Sequence, residues 1–180
     1  MRMEETEIPI EHLQEEIHHH THGAAQSWIM GVALTSALLA VLAAVSALKS
    51  GHHANEAMIE QMKASDAWAY YQAKGIKAAV LSSKIDFRRT LKQPAVLADQ
   101  EKLDKYEAEQ TKIADEAKEL ATSSHLHLLA HETFAAAVTL FQVAIGIAAI
   151  AALTHKWWFW LVSMAFGIFG LFYFVQGFFK

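Results

Sequence analysis

The stretch AAQSWIMGVALTSALLAVLAAVSAL occupies residues 24–48 and contains no Asp, Glu, Lys or Arg. A helix rises about 1.5 Å per residue, so this run exceeds the roughly 20 residues that cross about 30 Å of hydrocarbon. Two further stretches share the property: TFAAAVTLFQVAIGIAAIAALT at 133–154 and WWFWLVSMAFGIFGLFYFVQGFF at 157–179. Helices in the core of a soluble protein rarely stay apolar on every face over such a length. The sequence therefore predicts an all-α membrane protein with three transmembrane helices, its natural partner being the lipid bilayer.

Most of the charge lies between the first two runs, so a large water-exposed insert joins them. The leader, residues 1–23, is acidic and rich in His where a cleaved signal would carry a short basic segment, so run 24–48 is expected to stay as a membrane helix. The chain has no cysteine, which excludes disulfides and thiolate metal sites. Its only prolines are Pro9 and Pro94, as suits a nearly all-helical chain. The expected order is leader 1–23, span 24–48, insert legs 49–92 and 93–132, span 133–154, and a short loop with the last span at 155–180.

The insert reads as a long antiparallel helical hairpin, a coiled-coil-like stalk. Its first leg is built of good helix formers with one weak point, Gly75, and Pro94 suits the first turn of the second leg. In that second leg Leu103, Tyr106, Gln110, Ile113, Ala117, Leu120, Ser124, His127 and His131 recur alternately three and four apart, the seam of a coiled coil. Legs of this length predict a stalk about 60 Å tall. The first leg carries two adjacent seams. Trp68 and Tyr71 fall with Ala57, Ala64, Ala78 and Ile85, while Met58, Met62, Ala69, Ile76 and Ala79 lie beside them. One partner helix cannot cover both. Either the leg bends within its own hairpin or copies of the chain meet there, so Trp68, Tyr71, Met58, Met62 and Ile76 are the candidate oligomer interface.

The segments GHHANEAMIEQMKASDAWAYYQAKGIKAAVL, EEIHHH and HETFAAAVTLFQVAIGIAAI resemble the bacterial membrane family catalogued as domain of unknown function 4337. The resemblance covers essentially the whole chain. It implies the same plan of three spans and a helical insert, in the inner (cytoplasmic) membrane of a bacterium, and it brings no established activity.

Histidine offers the clearest chemistry. All eleven fall outside the three runs. With three spans, His52, His53, His125, His127 and His131 gather at the base of the stalk, and His155 and the leader histidines lie on the other face. His127 and His131, four apart, can hold one metal ion between them. His52, His53, His127 and His131, with Glu56 in reach, form a candidate site of nitrogen and oxygen ligands suited to Zn²⁺. The competing reading is packing, because imidazole sits comfortably in the headgroup zone and bonds across a hairpin.

Other motifs are absent from the sequence. There is no Gly-rich phosphate loop, no nucleophile elbow, no HExxH and no carboxylate within a span. The deepest polar residues, Thr35, Ser36, Thr139, Gln142, Ser163 and Gln176, are of the kind that join helices. Acidic residues of leg two offset the basic ones of leg one, which argues against nucleic acid as a partner. Lysines flank the stalk side of the spans, so the positive-inside rule puts the stalk in the cytoplasm. The chain is expected to be no enzyme and to need no cofactor beyond Zn²⁺ at most. It is read as a homo-oligomeric scaffold or the wall of a pore, with transition-metal binding or sensing as the alternative. The small-molecule ligand and cargo are not legible.

Overall fold

The computed structural model describes the backbone of residues 10–179 and the side chains of residues 27–179. Three long helices follow in order: α1 (Ile10–Thr90), α2 (Leu97–Thr154) and α3 (Trp157–Gln176), ending in a 3-10 turn at Gly177–Phe179. Among the described residues there is no strand, and the all-helical expectation holds. Each helix contains a segment long and apolar enough to cross a membrane, with mean hydropathy of 2.2, 2.2 and 1.9 in its most apolar window. The weak point at Gly75 does not interrupt α1. Its missing side chain makes room instead, since a Cβ there would stand 2.7 Å from Gln110 Nε2, which donates to the Tyr71 carbonyl at 3.3 Å.

The turn between α1 and α2 differs from expectation. The first leg ends at Thr90, and α2 begins at Leu97 rather than at Pro94. Lys92 takes a left-handed conformation (φ 56°), its N–H bonding to the Arg89 carbonyl at 3.0 Å while that of Gln93 reaches the Arg88 carbonyl at 3.0 Å. This is a Schellman cap, which satisfies carbonyls that the helix end leaves without partners. Arg88 Nη2 also donates to the Pro94 carbonyl at 3.3 Å, holding the proline in the turn and outside the helix. His155 plays a similar left-handed part (φ 53°) between α2 and α3.

The chain divides into two packed units. One holds Ala135–Val175 with the α1 residues up to Ala47. Its core is Leu39, Ala43, Ala137, Phe141 and Ala144, flanked by Leu42, Ile145, Phe166 and Phe174. The glycines of α3 admit the larger partners: Leu39 packs over Gly167 and Phe141 over Gly170, where an added Cβ would stand 3.0 and 2.8 Å from them. Three polar side chains in this unit find acceptors. Ser163 Oγ donates to the Ala144 carbonyl at 2.7 Å, and Trp160 Nε1 donates to Thr35 Oγ1 at 3.2 Å, whose hydroxyl donates to the Gly31 carbonyl at 2.9 Å. Thr35 and Ser163 thus join helices, as residues of their kind do in an apolar medium.

The second unit is Leu48–Phe134 with the last residues of the chain from Gln176. Within it α1 and α2 pair in reverse order. Ser124 Oγ donates to the Ala57 carbonyl at 2.8 Å, Lys74 pairs with Glu109, and Lys84 pairs with Asp99 at 2.8 Å. The seam predicted for the second leg is buried or half-buried throughout, and Ala57, Ala64 and Ala78 of the first leg lie buried with Ile113 and Ala117. Small residues at these points bring the two backbones close enough for the Ser124 hydroxyl to bond across. Lys74 also lies over the rings of Tyr70 and Tyr106, at 5.3 and 5.1 Å from their centroids. Its ammonium pK is raised, first by the hydrogen bond to Glu109, and the Glu109 carboxylate is held below its usual range by the same bond.

Candidate functional site

The candidate histidines all belong to the second unit: His131 bonds to Ser50, His53 pairs with His127, and His52 stands outside both contacts. His131 faces Ser50. Its Nδ1 donates to the Ser50 carbonyl at 2.9 Å, and the Ser50 hydroxyl donates back to the His131 carbonyl at 3.2 Å. This arrangement puts the proton of a neutral His131 on Nδ1 and leaves Nε2 as the acceptor. Spacing alone placed His131 with His127; the exchange with the Ser50 backbone draws it away.

His53 and His127 form the other pair, with their Nδ1 atoms 3.0 Å apart. A hydrogen bond there needs one protonated and one bare nitrogen. On the far side of its ring, His127 Nε2 stands 4.0 Å from Glu60 Oε2, a buried oxygen with no hydrogen-bond partner of its own. One proton arrangement suits all three groups: His53 donates from Nδ1, His127 accepts at Nδ1, and His127 points Nε2–H toward the carboxylate. The His53 ring stacks on buried Phe134, centroids 5.7 Å apart and planes within 10°. Phe134 in turn fits against Gly177, where a Cβ would stand 2.7 Å from its ring, and meets Phe178 edge-on. Burial of His53 pushes its pK below the ordinary value of 6.5, with further lowering from His127, His52 and Lys49 against a raising effect of Glu56.

His52 is exposed, its ring centroid 5.4 Å from that of His53. The four metal-candidate histidines therefore do not converge on one point. Among the described residues, no group of three or more His, Asp or Glu side chains is disposed to hold a metal ion. His12, His18, His19, His20 and His22 lie outside the residues whose side chains are described. Sequence reasoning missed Ser50 and Glu60. Glu60 was within reach of it, because a residue seven after His53 falls two turns along the same helical face.

The two seams of the first leg part company. Ala57, Ala64 and Ala78 pack against α2, and Tyr71 is half-buried beside Trp68, its ring centroid 5.5 Å away in an edge contact. Trp68 itself is 37% exposed. The second seam stays uncovered: Met58, Met62 and Ile76 are 60%, 55% and 66% exposed, and Val80 and Phe87 extend the stripe. Charged residues Lys63, Asp66, Lys77 and Lys84 are interleaved with it.

No curated protein and no solved structure matches the chain. Residues 28–180 match the family described as Domain of unknown function (DUF4337), and the chain belongs to that family.

Proposed function

We propose that the protein is a multi-pass membrane scaffold that assembles from several copies through the first leg of its insert. Its three apolar segments would span the bilayer, and α1 and α2 would continue as an antiparallel hairpin in water, on the cytoplasmic side by the positive-inside rule. The single observation that carries this reading is the uncovered stripe of Met58, Met62, Ile76, Val80 and Phe87 in a charged, water-compatible segment. Apolar side chains at repeating helical positions in water gain by meeting a like surface. A stripe of this kind calls for a partner surface and not for a substrate, so a non-enzymatic role fits best.

The experiment is native mass measurement of the full-length protein in mild detergent, with crosslinking in intact membranes. Several copies per particle are expected, and replacing Met62 and Ile76 together with Glu should reduce the copy number. A wild-type protein that is monomeric by both measurements overturns the reading.

A second reading rests on the 3.0 Å separation of the His53 and His127 Nδ1 atoms. Two nitrogens on one tetrahedral Zn²⁺ at about 2.0–2.1 Å stand roughly 3.3 Å apart, close to this value. Tag-free protein should then retain metal, and His127→Gln should release it. Retention unaffected by that change, or no retained metal, removes the reading.

A further inference from the structure

The turn joining α1 to α2 carries a feature that, apart from Phe87, self-assembly does not use. The sequence KIDFRRTLK, residues 84–92, sets four cations and three large apolar residues around one acid, Asp86. A cavity of about 340 Å³ opens there, lined by Arg88, Arg89 and Lys92 and by the apolar Ile85, Val96 and Leu97. Asp99 also lines it; Lys84 donates to its Oδ1 at 3.0 Å and lies 2.8 Å from its Oδ2, a buried oxygen with no hydrogen bond. Arg89 meets only the exposed Asp86, at 3.4 Å. Arg88 Nε is buried without a hydrogen-bond partner, a donor whose desolvation nothing in the turn offsets. Among these groups the cations exceed the acids by two: Lys84, Arg88, Arg89 and Lys92 against Asp86 and Asp99.

The rim is apolar and open. Leu97 is 79% exposed, and Phe87, Leu91 and Val96 are exposed around it. Arg88 and Arg89 complement the negative end of α1, and that local role accounts for basic residues in the last turn. It does not account for an exposed Leu97 beside a basic cavity. A soluble phosphate would use the cations and leave the apolar rim in water. A lipid with an anionic headgroup uses both, as basic segments with interspersed apolar residues do at charged bilayers.

We propose that this turn binds an anionic phospholipid surface, a headgroup phosphate seated against Arg88, Arg89 and Lys92 while Leu91, Val96 and Leu97 enter the interface. The proposal stands whether or not the chain assembles. The test uses full-length protein in phosphatidylcholine nanodiscs, mixed with phosphatidylcholine vesicles made with or without phosphatidylglycerol, and reads co-flotation. Wild type should float with the anionic vesicles only. Arg88→Gln, Arg89→Gln and Lys92→Gln together should weaken that binding about 100-fold, the effect of removing three interfacial cations. Lys63→Gln with Lys77→Gln, away from the turn, should leave most of it. Should the triple variant lose helix content, Leu97→Ser serves instead; it changes an exposed side chain and should still weaken vesicle binding. Equal flotation with both vesicle types overturns the proposal, as does equal loss from both charge variants. Binding of inorganic phosphate without vesicle binding would also overturn it, in favour of a soluble anion.

Discussion

Lys92 and His155 hold left-handed backbone conformations that glycine adopts without steric cost. An L-residue there gives up about 1 kcal/mol, so Lys92→Gly and His155→Gly should each raise the melting temperature of the detergent-solubilised protein by a few degrees, while alanine at either site should not. His53 supplies a pH dependence. Its folded-state pK lies below its ordinary 6.5, so the unfolded chain takes up this proton first as the medium becomes acid. The stability in question is complete above about pH 6.5 and declines as pH falls from there toward the folded-state value. Melting curves between pH 8 and pH 5 should show this decline, and His53→Asn should flatten it, because the variant loses the titrating ring while keeping a polar side chain beside His127.

The packing of α3 turns on where its glycines have neighbours. Gly170→Ala should displace Phe141, whose ring atoms would lie 2.8 Å from the new methyl, and destabilise by about 1–3 kcal/mol. Gly146→Ala on α2 meets nothing within 4 Å and should be neutral or slightly stabilising. Thermal melts of the two variants check the contrast. Helix identity was legible in the sequence because apolar runs and three-four spacing are local signals. The seam from Leu103 to His131 emerged half-buried or buried as the spacing predicts. The start of α2 was not legible, since Pro94 suits a first turn as well as a loop. A hydrogen bond from Arg88, six residues earlier, decides between them. The histidines split for a comparable reason: helical spacing sets the face on which a ring lies, whereas the Ser50 carbonyl sets what His131 bonds to.

For the molecule as a whole, the two seams of the first leg make separable expectations. Trp68, partly exposed and edge-on to Tyr71 of the same helix, lies on the seam of buried Ala57, Ala64 and Ala78. Trp68→Ala should lower the melting temperature more than it lowers copy number. Met62→Glu with Ile76→Glu should do the reverse, as both side chains are exposed within one chain. Native mass and melting measured on the same samples separate the two effects. Sequence reading raised both seams and could not assign them, because apolar periodicity marks a face to be covered without naming its cover. Function was the least legible level for the same cause: an exposed apolar face does not name what it meets.

The alanines that bring α1 and α2 together at Ala57, Ala64 and Ala117 bear on how this protein can change over generations. A single base change in an alanine codon gives valine, threonine, serine, glycine, proline, or an acid (aspartate or glutamate). At these buried points the branched side chains would push two backbones apart and strand the Ser124 hydroxyl that reaches the Ala57 carbonyl. The same codon changes at exposed Ala73 or Ala108, outside both seams, meet open solvent. Drift along the insert should therefore be gated by position, with the exposed alanines free to wander and the buried ones restricted to serine and glycine.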